Sequence, residues 1–281
     1  MESVNKTDQL VVSEGMKRVF ENRKPGEKIM NLFITAGFPD KSATVDLILG
    51  YEKNGADIIE LGMPFSDPLA DGPTIQYSSE VALAGGLMMD DIFDMVKQVR
   101  EKSEIPIVLM GYLNPLLYYG IEPFFERCAE SGVDGLILPD VPVEESSLLA
   151  EESRKYQVPL IYLVAPNSTD ERMRLVDSRS GGFVYCVSVT GVTGARSRGE
   201  VEESVNRFIE RVNANITQNP VLVGFGISSH EDAMQISQKT DGFVVGSALI
   251  NHIRGLQHEA NWMEHHFEFV RSLKYGEVET A

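Results

Sequence analysis

The chain has 281 residues, a length that one α/β barrel accommodates and that does not require a second domain. Its 42 acidic and 25 basic residues give a formal net charge of −17, so its surface repels phosphate backbones and nucleic acid is not an expected partner. No apolar run reaches the ~20 residues that span a bilayer, and the two cysteines lack a CxxC spacing; both features favour a cytoplasmic protein without membrane contact.

Eight short apolar stretches recur along the chain and alternate with amphipathic stretches. They are rich in Ile, Val, Leu and Phe without strict alternation, which is typical of strands buried on both faces. The predicted strands are residues 31–36, 57–61, 106–110, 135–138, 159–164, 182–187, 220–223 and 242–245, with helices between them such as 42–54, 90–101, 144–156 and 201–213. This pattern predicts a (β/α)₈ TIM barrel with extra helices. An open doubly wound sheet is the alternative, and the absence of a GxGxxG opening argues against it.

The two ends of the chain lie outside this alternation. Residues 1–28 precede the first strand and contain a predicted helix near residues 15–21, from which it could close the bottom of a barrel. Residues 258–281 are predicted to form a last helix and tail. Packing of its apolar residues, such as Trp262 and Val270, is favoured over metal binding by the neighbouring histidines. The whole chain is therefore predicted to form one barrel domain.

Glu60 ends the second predicted strand, and reactive groups in barrels lie at the carboxyl ends of strands. If Ile59 and Leu61 face the helices, Glu60 faces the barrel interior. Burial of a carboxylate there disfavours its charge and raises its pKa, as an acid that exchanges protons near neutral pH requires. The alternative is a core carboxyl group bonded to backbone or water.

Two more acids, Asp67 and Asp71, follow in a loop predicted at residues 64–76. Each precedes a Pro or Gly, so each could be an ordinary turn residue, and spacing alone does not choose between them. Two carboxyl groups in one pocket can divide the roles of acid and base. Binding of magnesium by these acids is a rival interpretation.

Glycine-rich stretches follow the last three predicted strands: GVTGAR (191–196), GFGIS (224–228) and GSA (246–248). Glycines let the backbone approach an anion closely, and Ser228 and Ser247 are candidate helix N-caps. Loops after the seventh and eighth strands form the usual phosphate site of TIM barrels. The long loop predicted at 189–200, after strand six, is a candidate lid.

Several motifs occur in an order that identifies a family. The most specific is ELGMPFSDPLADGPTIQ (60–76). It is accompanied by LFITAGFP (32–39), YLNPLLYYG (112–120), GVDGLILPDVPVEE (132–145), GVTGARSRG (191–199), GFGIS (224–228) and GSALI (246–250). Along nearly its full length the sequence resembles the alpha chain of tryptophan synthase, and only the first twenty-odd residues and the tail match poorly.

The resemblance implies a carbon–carbon lyase that splits indole-3-glycerol phosphate into indole and glyceraldehyde 3-phosphate in the last step of tryptophan biosynthesis. It assigns Glu60 as the general acid/base and Asp71, not Asp67, as the acceptor of the indole N–H. Tyr185 and Phe33 are implied to line the indole pocket.

The resemblance also assigns the remaining binding residues. Thr193, in the lid, is implied to position the catalytic aspartate. Backbone groups of Gly194, Gly226 and Gly246, together with Ser247, are implied to hold the phosphate. No metal and no cofactor are implied for this chain.

The implied partner is a beta chain, in an α₂β₂ heterotetramer, and the expected pyridoxal phosphate belongs to that partner. One alternative is a stand-alone lyase that releases free indole, which the shared acids do not exclude. A catalytically inactive subunit is disfavoured because both acids are present. Other phosphate-binding barrels of tryptophan biosynthesis are disfavoured by the motif at residues 60–76.

Overall fold

A computed structural model of the chain describes residues 10–187, 198–224 and 226–276, with backbone only at 198–202. Its nine strands are Ile29–Thr35 (β1), Ile58–Gly62 (β2), Ile107–Met110 (β3), Gly135–Ile137 (β4), Leu160–Ile161 (β5), Leu163–Val164 (β6), Val184–Val187 (β7), Val221–Gly224 (β8) and Gly242–Val245 (β9). They form one parallel sheet in the order β5-β4-β3-β2-β1-β9-β8-β7-β6.

The stretch predicted as one strand at 159–164 is divided into β5 and β6 at Tyr162. The Tyr162 N–H donates to the Ser180 hydroxyl group at 3.0 Å, and its carbonyl accepts from the Tyr185 N–H at 3.1 Å. β5 pairs with β4 and β6 with β7, so the two short strands together fill one place in the ring. The expected (β/α)₈ barrel is confirmed.

Twelve α-helices lie in the described part of the chain. They are Glu14–Glu21 (α1), Ala43–Lys53 (α2), Pro73–Ala84 (α3), Met89–Arg100 (α4), Leu113–Tyr119 (α5), Ile121–Ser131 (α6), Ser147–Tyr156 (α7), Asp170–Arg179 (α8), Arg198–Asn215 (α9), His230–Ile236 (α10), Ser247–Leu256 (α11) and Trp262–Tyr275 (α12). The helix predicted at 144–156 begins with a separate 3₁₀ turn, Val143–Glu145. None of the described helices has the length and apolar content to cross a membrane.

Alternation along the strands builds two apolar layers. On β1, Met30, Leu32 and Ile34 belong to the large cluster between strands and helices, whereas Ile29 belongs to a smaller cluster inside the barrel. Met16 of α1 is fully buried in that interior cluster. The N-terminal helix therefore closes the bottom of the barrel, as its position in the sequence suggested.

The last helix, α12, packs on the outside of the barrel. Val270 is fully buried, and the half-buried Trp262 and Phe267 lie against the main core. His266 is also buried; its Nε2 lies 2.7 Å from the Tyr51 hydroxyl oxygen, and burial lowers its pKa to about 3. The predicted packing of this helix is thus found. In the described residues no three His, Cys, Asp or Glu side chains cluster as a metal site would require.

Candidate active site

The Glu60 side chain points into the barrel, because its strand neighbours Ile59 and Leu61 both belong to the outer apolar layer. It is fully buried. Its Oε1 accepts a hydrogen bond from Nδ2 of Asn31 at 2.5 Å, whereas its Oε2 has no partner. Burial raises the pKa of Glu60 to about 8, although the bond from Asn31 acts in the opposite direction. The expected inward orientation and raised pKa are both found.

A cavity of about 340 Å³ opens at the carboxyl ends of the strands. Its lining includes Phe33, Asp71, Ile75, Met110, Tyr185, Gly224, Gly226, Ile227, Ser228, Val244, Gly246, Ser247, Ala248 and Asn251. Five of the residues expected from the sequence to bind substrate are thus brought together with Asp71. The volume is that of a small-molecule site.

Glu60 itself does not line this cavity, but it borders two residues that do. Phe33 is its register partner on β1. Tyr185 on β7 is half-buried, and desolvation of its hydroxyl group and, secondarily, the nearby charge of Glu60 hold its pKa well above its ordinary value. The acid therefore lies next to two residues of the cavity lining, Phe33 and Tyr185.

The two loop acids differ in their surroundings. Asp71 is half-buried and lines the cavity; burial raises its pKa, and a side-chain hydrogen bond from Tyr112 opposes that rise. Asp67 is exposed and accepts a hydrogen bond from the adjacent Ser66 hydroxyl group. The loop is also shorter than expected from the sequence, because α3 begins at Pro73 and not after residue 76.

Two residues of this site were missed in the sequence. Tyr112, just after β3, is buried, and its hydroxyl oxygen accepts the Ala70 N–H at 3.1 Å. Asn31 interrupts an apolar strand with an amide. Each had a signal in the sequence: a polar or aromatic side chain placed where the barrel pattern faces inward or at a strand's carboxyl end.

The phosphate side of the cavity is built from backbone. Gly246 occupies the N-cap position of α11 without a side-chain cap, and Ser247 opens the helix, so neither Ser247 nor any other side chain caps it. Its first N–H groups therefore border the cavity with the positive end of the helix dipole. Gly226 has φ +63°, a left-handed conformation that favours glycine. The expected cap at Ser228 is wrong: Ser229 caps α10, and the Ser228 hydroxyl group donates to Asp232 instead.

Among the described residues, no lysine or arginine lines this cavity. Two expected site residues, Thr193 and Gly194, lie outside the described residues, as does most of the lid loop predicted at 189–200. Its last three residues belong to α9, which begins at Arg198, so the loop ends earlier than expected.

Comparison with known proteins decides the family. The sequence matches the family model described as the tryptophan synthase alpha chain over residues 20–277. The chain belongs to the tryptophan synthase alpha chain family. The alpha chain of Caldanaerobacter subterraneus is 46% identical over 92% of this chain and 97% of the relative. That of Flavobacterium johnsoniae is 44% identical over 85% and 94%.

Solved structures agree with the family assignment. A tryptophan synthase alpha chain from Legionella pneumophila superposes with a TM-score of 0.83 at 35% identity, covering 93% of this chain and 96% of that one. A chain from the Pyrococcus furiosus tryptophan synthase complex gives a TM-score of 0.77 at 36% identity, covering 87% and 97%. The expected function, that of an alpha subunit and a lyase of tryptophan biosynthesis, is confirmed, and the stand-alone alternative is not favoured.

Proposed function

We propose that the cavity binds indole-3-glycerol phosphate and that Glu60 and Asp71 carry out its retro-aldol cleavage. Glu60 protonates the indole carbon that bears the side chain and then takes the proton of the adjacent glycerol hydroxyl group. The carbon–carbon bond breaks, its electron pair restores the indole ring, and glyceraldehyde 3-phosphate leaves. Asp71 accepts the indole N–H and stabilises the positive charge on the protonated ring.

One observation carries this assignment: one carboxyl group lines the cavity, the other lies next to its aromatic lining residues Phe33 and Tyr185, and the two are in different environments. Glu60 is fully buried with a pKa raised to about 8, so at neutral pH it holds a proton that it can give. Asp71 is half-buried and bonded to Tyr112, which favours its charged form against the effect of burial. This difference in environment supports the division into an acid and a charge-stabilising acceptor.

The rest of the cavity supports the same substrate. Phe33 and Tyr185 offer aromatic faces next to Glu60, where an indole ring would pack. Gly226, Gly246 and Ser247 lie along the backbone-lined end, where N–H groups would bind the phosphate without a basic side chain. We extend the phosphate site to Gly194, and the positioning of Asp71 to Thr193, on the resemblance alone.

A beta chain is the proposed partner, docked on the face where the cavity opens. Among the similar solved structures, a tryptophan synthase complex from Pyrococcus furiosus supports such an assembly, for which we propose the composition α₂β₂. On this face Leu69, in the loop after β2, is 87% exposed, and Tyr118 of α5, which follows β3, is 96% exposed. A partner docked on this face would cover both side chains.

Pyridoxal phosphate is proposed to belong to the beta chain. That cofactor is held through a lysine Schiff base, and the lining of the described cavity contains no lysine, so this site does not fit it. A cytoplasmic location stays a prediction from cysteine usage. We also propose that the chain acts as one barrel domain, since Met16 near its beginning and Val270 near its end are both buried against the barrel.

The experiment is to supply the purified chain with indole-3-glycerol phosphate, alone and with a beta chain, and to measure indole, glyceraldehyde 3-phosphate and tryptophan. Parent protein is expected to release both cleavage products. Glu60→Gln keeps the size of the side chain but cannot shuttle a proton, so cleavage should fall by at least ~10²–10⁴-fold. Near-normal cleavage by this variant would remove Glu60 from the mechanism.

A further inference from the structure

Among the described residues, Asn31 provides the side-chain hydrogen bond to the buried acid Glu60. Its Nδ2 donates to Glu60 Oε1 at 2.5 Å, and both residues are fully buried. Two atoms of this pair, Asn31 Oδ1 and Glu60 Oε2, have no hydrogen-bond partner. Burying polar atoms without hydrogen-bond partners costs free energy of folding, so the presence of an amide beside this acid needs an explanation.

The surroundings of the pair offer no structural reason for an amide. The interior cluster next to the pair is apolar on the pair's own strand β2 and on the two flanking strands: Ile58 on β2, Val108 on β3 and Val244 on β9. A leucine at position 31 would continue this packing and leave no polar atom unsatisfied. The amide is therefore better explained by what it does for Glu60 than by what it does for the core.

We propose that Asn31 is a positioning residue that holds the Glu60 carboxyl group in both of its protonation states. When Glu60 is ionised, the amide N–H donates to the carboxylate, as the structure shows. When Glu60 is protonated, rotation of the amide by half a turn presents Oδ1, which then accepts the carboxyl O–H. This inference rests on the proposed function of Glu60 as acid and base.

Such a partner suits a group that changes its protonation state twice in one turnover. A fixed donor would favour only the carboxylate, and a fixed acceptor only the acid. An amide carries both functions on one planar group, so the carboxyl group keeps its place while its proton leaves for the indole carbon and another returns from the glycerol hydroxyl group.

Other groups that face Glu60 do not replace this function. Tyr185 on β7 titrates, but its pKa lies well above its ordinary value, so its phenol stays protonated throughout. Phe33 on β1 and Val108 on β3, the register partners of Glu60, carry no charge. A change in the titration of Glu60 on altering Asn31 can therefore be assigned to the lost amide.

The test compares Asn31→Leu with parent protein in two measurements. The first is kcat and KM for indole-3-glycerol phosphate as a function of pH. The second is an infrared titration of the protonated carboxyl band that disappears in Glu60→Gln. The amide bonds the charged carboxylate more strongly than the neutral acid, so its loss should move the pKa of Glu60 upward, by up to about one unit. The Glu60 carboxyl group also loses its fixed orientation, which should lower kcat about tenfold while KM stays within about twofold of the parent value.

Two further variants keep the test decisive. Leu32→Val, on the opposite face of β1, loosens the core without touching Glu60 and should leave the pH profile unchanged. Asn31→Asp keeps the shape and, while protonated, both hydrogen-bond functions, so kcat should recover at acidic pH and fall as the new carboxyl group ionises. If Asn31→Leu does not fold, the pH dependence of kcat in Asn31→Asp tests the inference by itself.

An unchanged carboxyl titration and unchanged kcat in Asn31→Leu overturn the inference, as does a ratio of Asn31→Asp to parent kcat that is the same at every pH. Neither result touches the proposed function if Glu60→Gln is inactive. Conversely, an active Glu60→Gln variant removes Glu60 from catalysis, and the infrared titration still shows whether Asn31 controls its pKa.

Discussion

The hydroxyl oxygen of Tyr112 accepts a hydrogen bond from the backbone N–H of Ala70 at 3.1 Å. This bond joins the end of β3 to the loop after β2, one residue before Asp71. The same hydroxyl group bonds the Asp71 carboxyl group and opposes the rise of its pKa on burial. Tyr112 therefore anchors the loop next to the second acid and favours the charged form of that acid, although burial has the larger effect on its pKa.

Tyr112→Phe is expected to lower kcat about tenfold, because Asp71 loses its anchor and a bond that favours its charged form. The ring should still pack against Phe65, 5.7 Å away between centroids, so the fold should persist. Steady-state cleavage assays and circular dichroism check this. Tyr119→Phe is the matched control, since its hydroxyl group bonds Asp90 on the outer surface. Equal losses in both variants would mean that the bond to the loop is unimportant.

The two loop aspartates should respond differently to amide substitution. Asp71→Asn removes the charge that is proposed to stabilise the protonated indole, and kcat should fall by ~10²-fold or more. Asp67→Asn removes an exposed carboxylate that bonds only its neighbour Ser66 among the described contacts, so its kcat should stay within a few-fold of parent. Each variant is assayed with saturating substrate. The reverse order of losses would show that the wrong aspartate was chosen.

Features of this site that depend on local sequence patterns are predictable from the sequence, whereas features that depend on contacts between distant segments are not. The position of Glu60 follows from period-two alternation in a strand, which is local, and the structure agrees. The choice of Asp71 over Asp67 depends on where a proline-rich loop folds back, which spacing alone left open and which came from the family resemblance. The division of one predicted strand at Tyr162 depends on pairing with two different neighbours, which no local pattern contains.

Contacts across strands are the other part that sequence reasoning missed. Asn31 and Glu60 are 29 residues apart, and their meeting depends on the register of β1 against β2. An amide in an apolar run was visible in the sequence, but its partner was not. The same holds for Tyr112, whose role depends on reaching a loop 42 residues earlier.

The raised pKa of Glu60 predicts a loss of stability with rising pH. The folded protein holds its proton up to a pKa of about 8, whereas the ordinary value is 4.5. Between these pH values the folded state binds more protons, so the free energy of unfolding should fall by up to about 1.4 kcal/mol per pH unit from this group. Glu60→Gln lacks this titration, so its stability relative to parent should increase from pH 5 to pH 8. Urea denaturation at both pH values measures the free energy of unfolding of each protein. If this free energy changes equally with pH in the two proteins, the raised pKa of Glu60 is contradicted.

The backbone-lined end of the cavity should be sensitive to side chains at Gly246. Its φ is not in the left-handed region, and an added Cβ would meet Phe33 Cβ at 3.4 Å, an ordinary contact. Gly246→Val should therefore fold but fill the space for the phosphate, and KM for substrate should rise at least about tenfold. Gly226 is the less suitable position, because its φ of +63° would strain any replacement. Unaltered binding of glyceraldehyde 3-phosphate, measured by calorimetry, would place the phosphate elsewhere.

Tyr118 is the residue chosen to test docking of the proposed beta chain. Its side chain is 96% exposed on the helix that follows β3, at the end of the barrel where the cavity opens. Tyr118→Asp should weaken binding of a beta chain about tenfold or more, since exposed aromatic residues often dominate interfaces. It should leave cleavage by the isolated chain unchanged, because Tyr118 does not line the cavity. Tyr275→Asp is the matched control: this tyrosine is 60% exposed, and a Cβ added at Gly55, just before β2 begins, would lie 3.0 Å from its ring, at the opposite end of the barrel. If a docked beta chain favours the substrate-bound form, linkage requires that substrate in the cavity tighten the complex by the same factor. Titration of a beta chain into parent and both variants, with and without substrate, measures all of these affinities. Equal weakening by both substitutions, or by neither, would place the partner on another face.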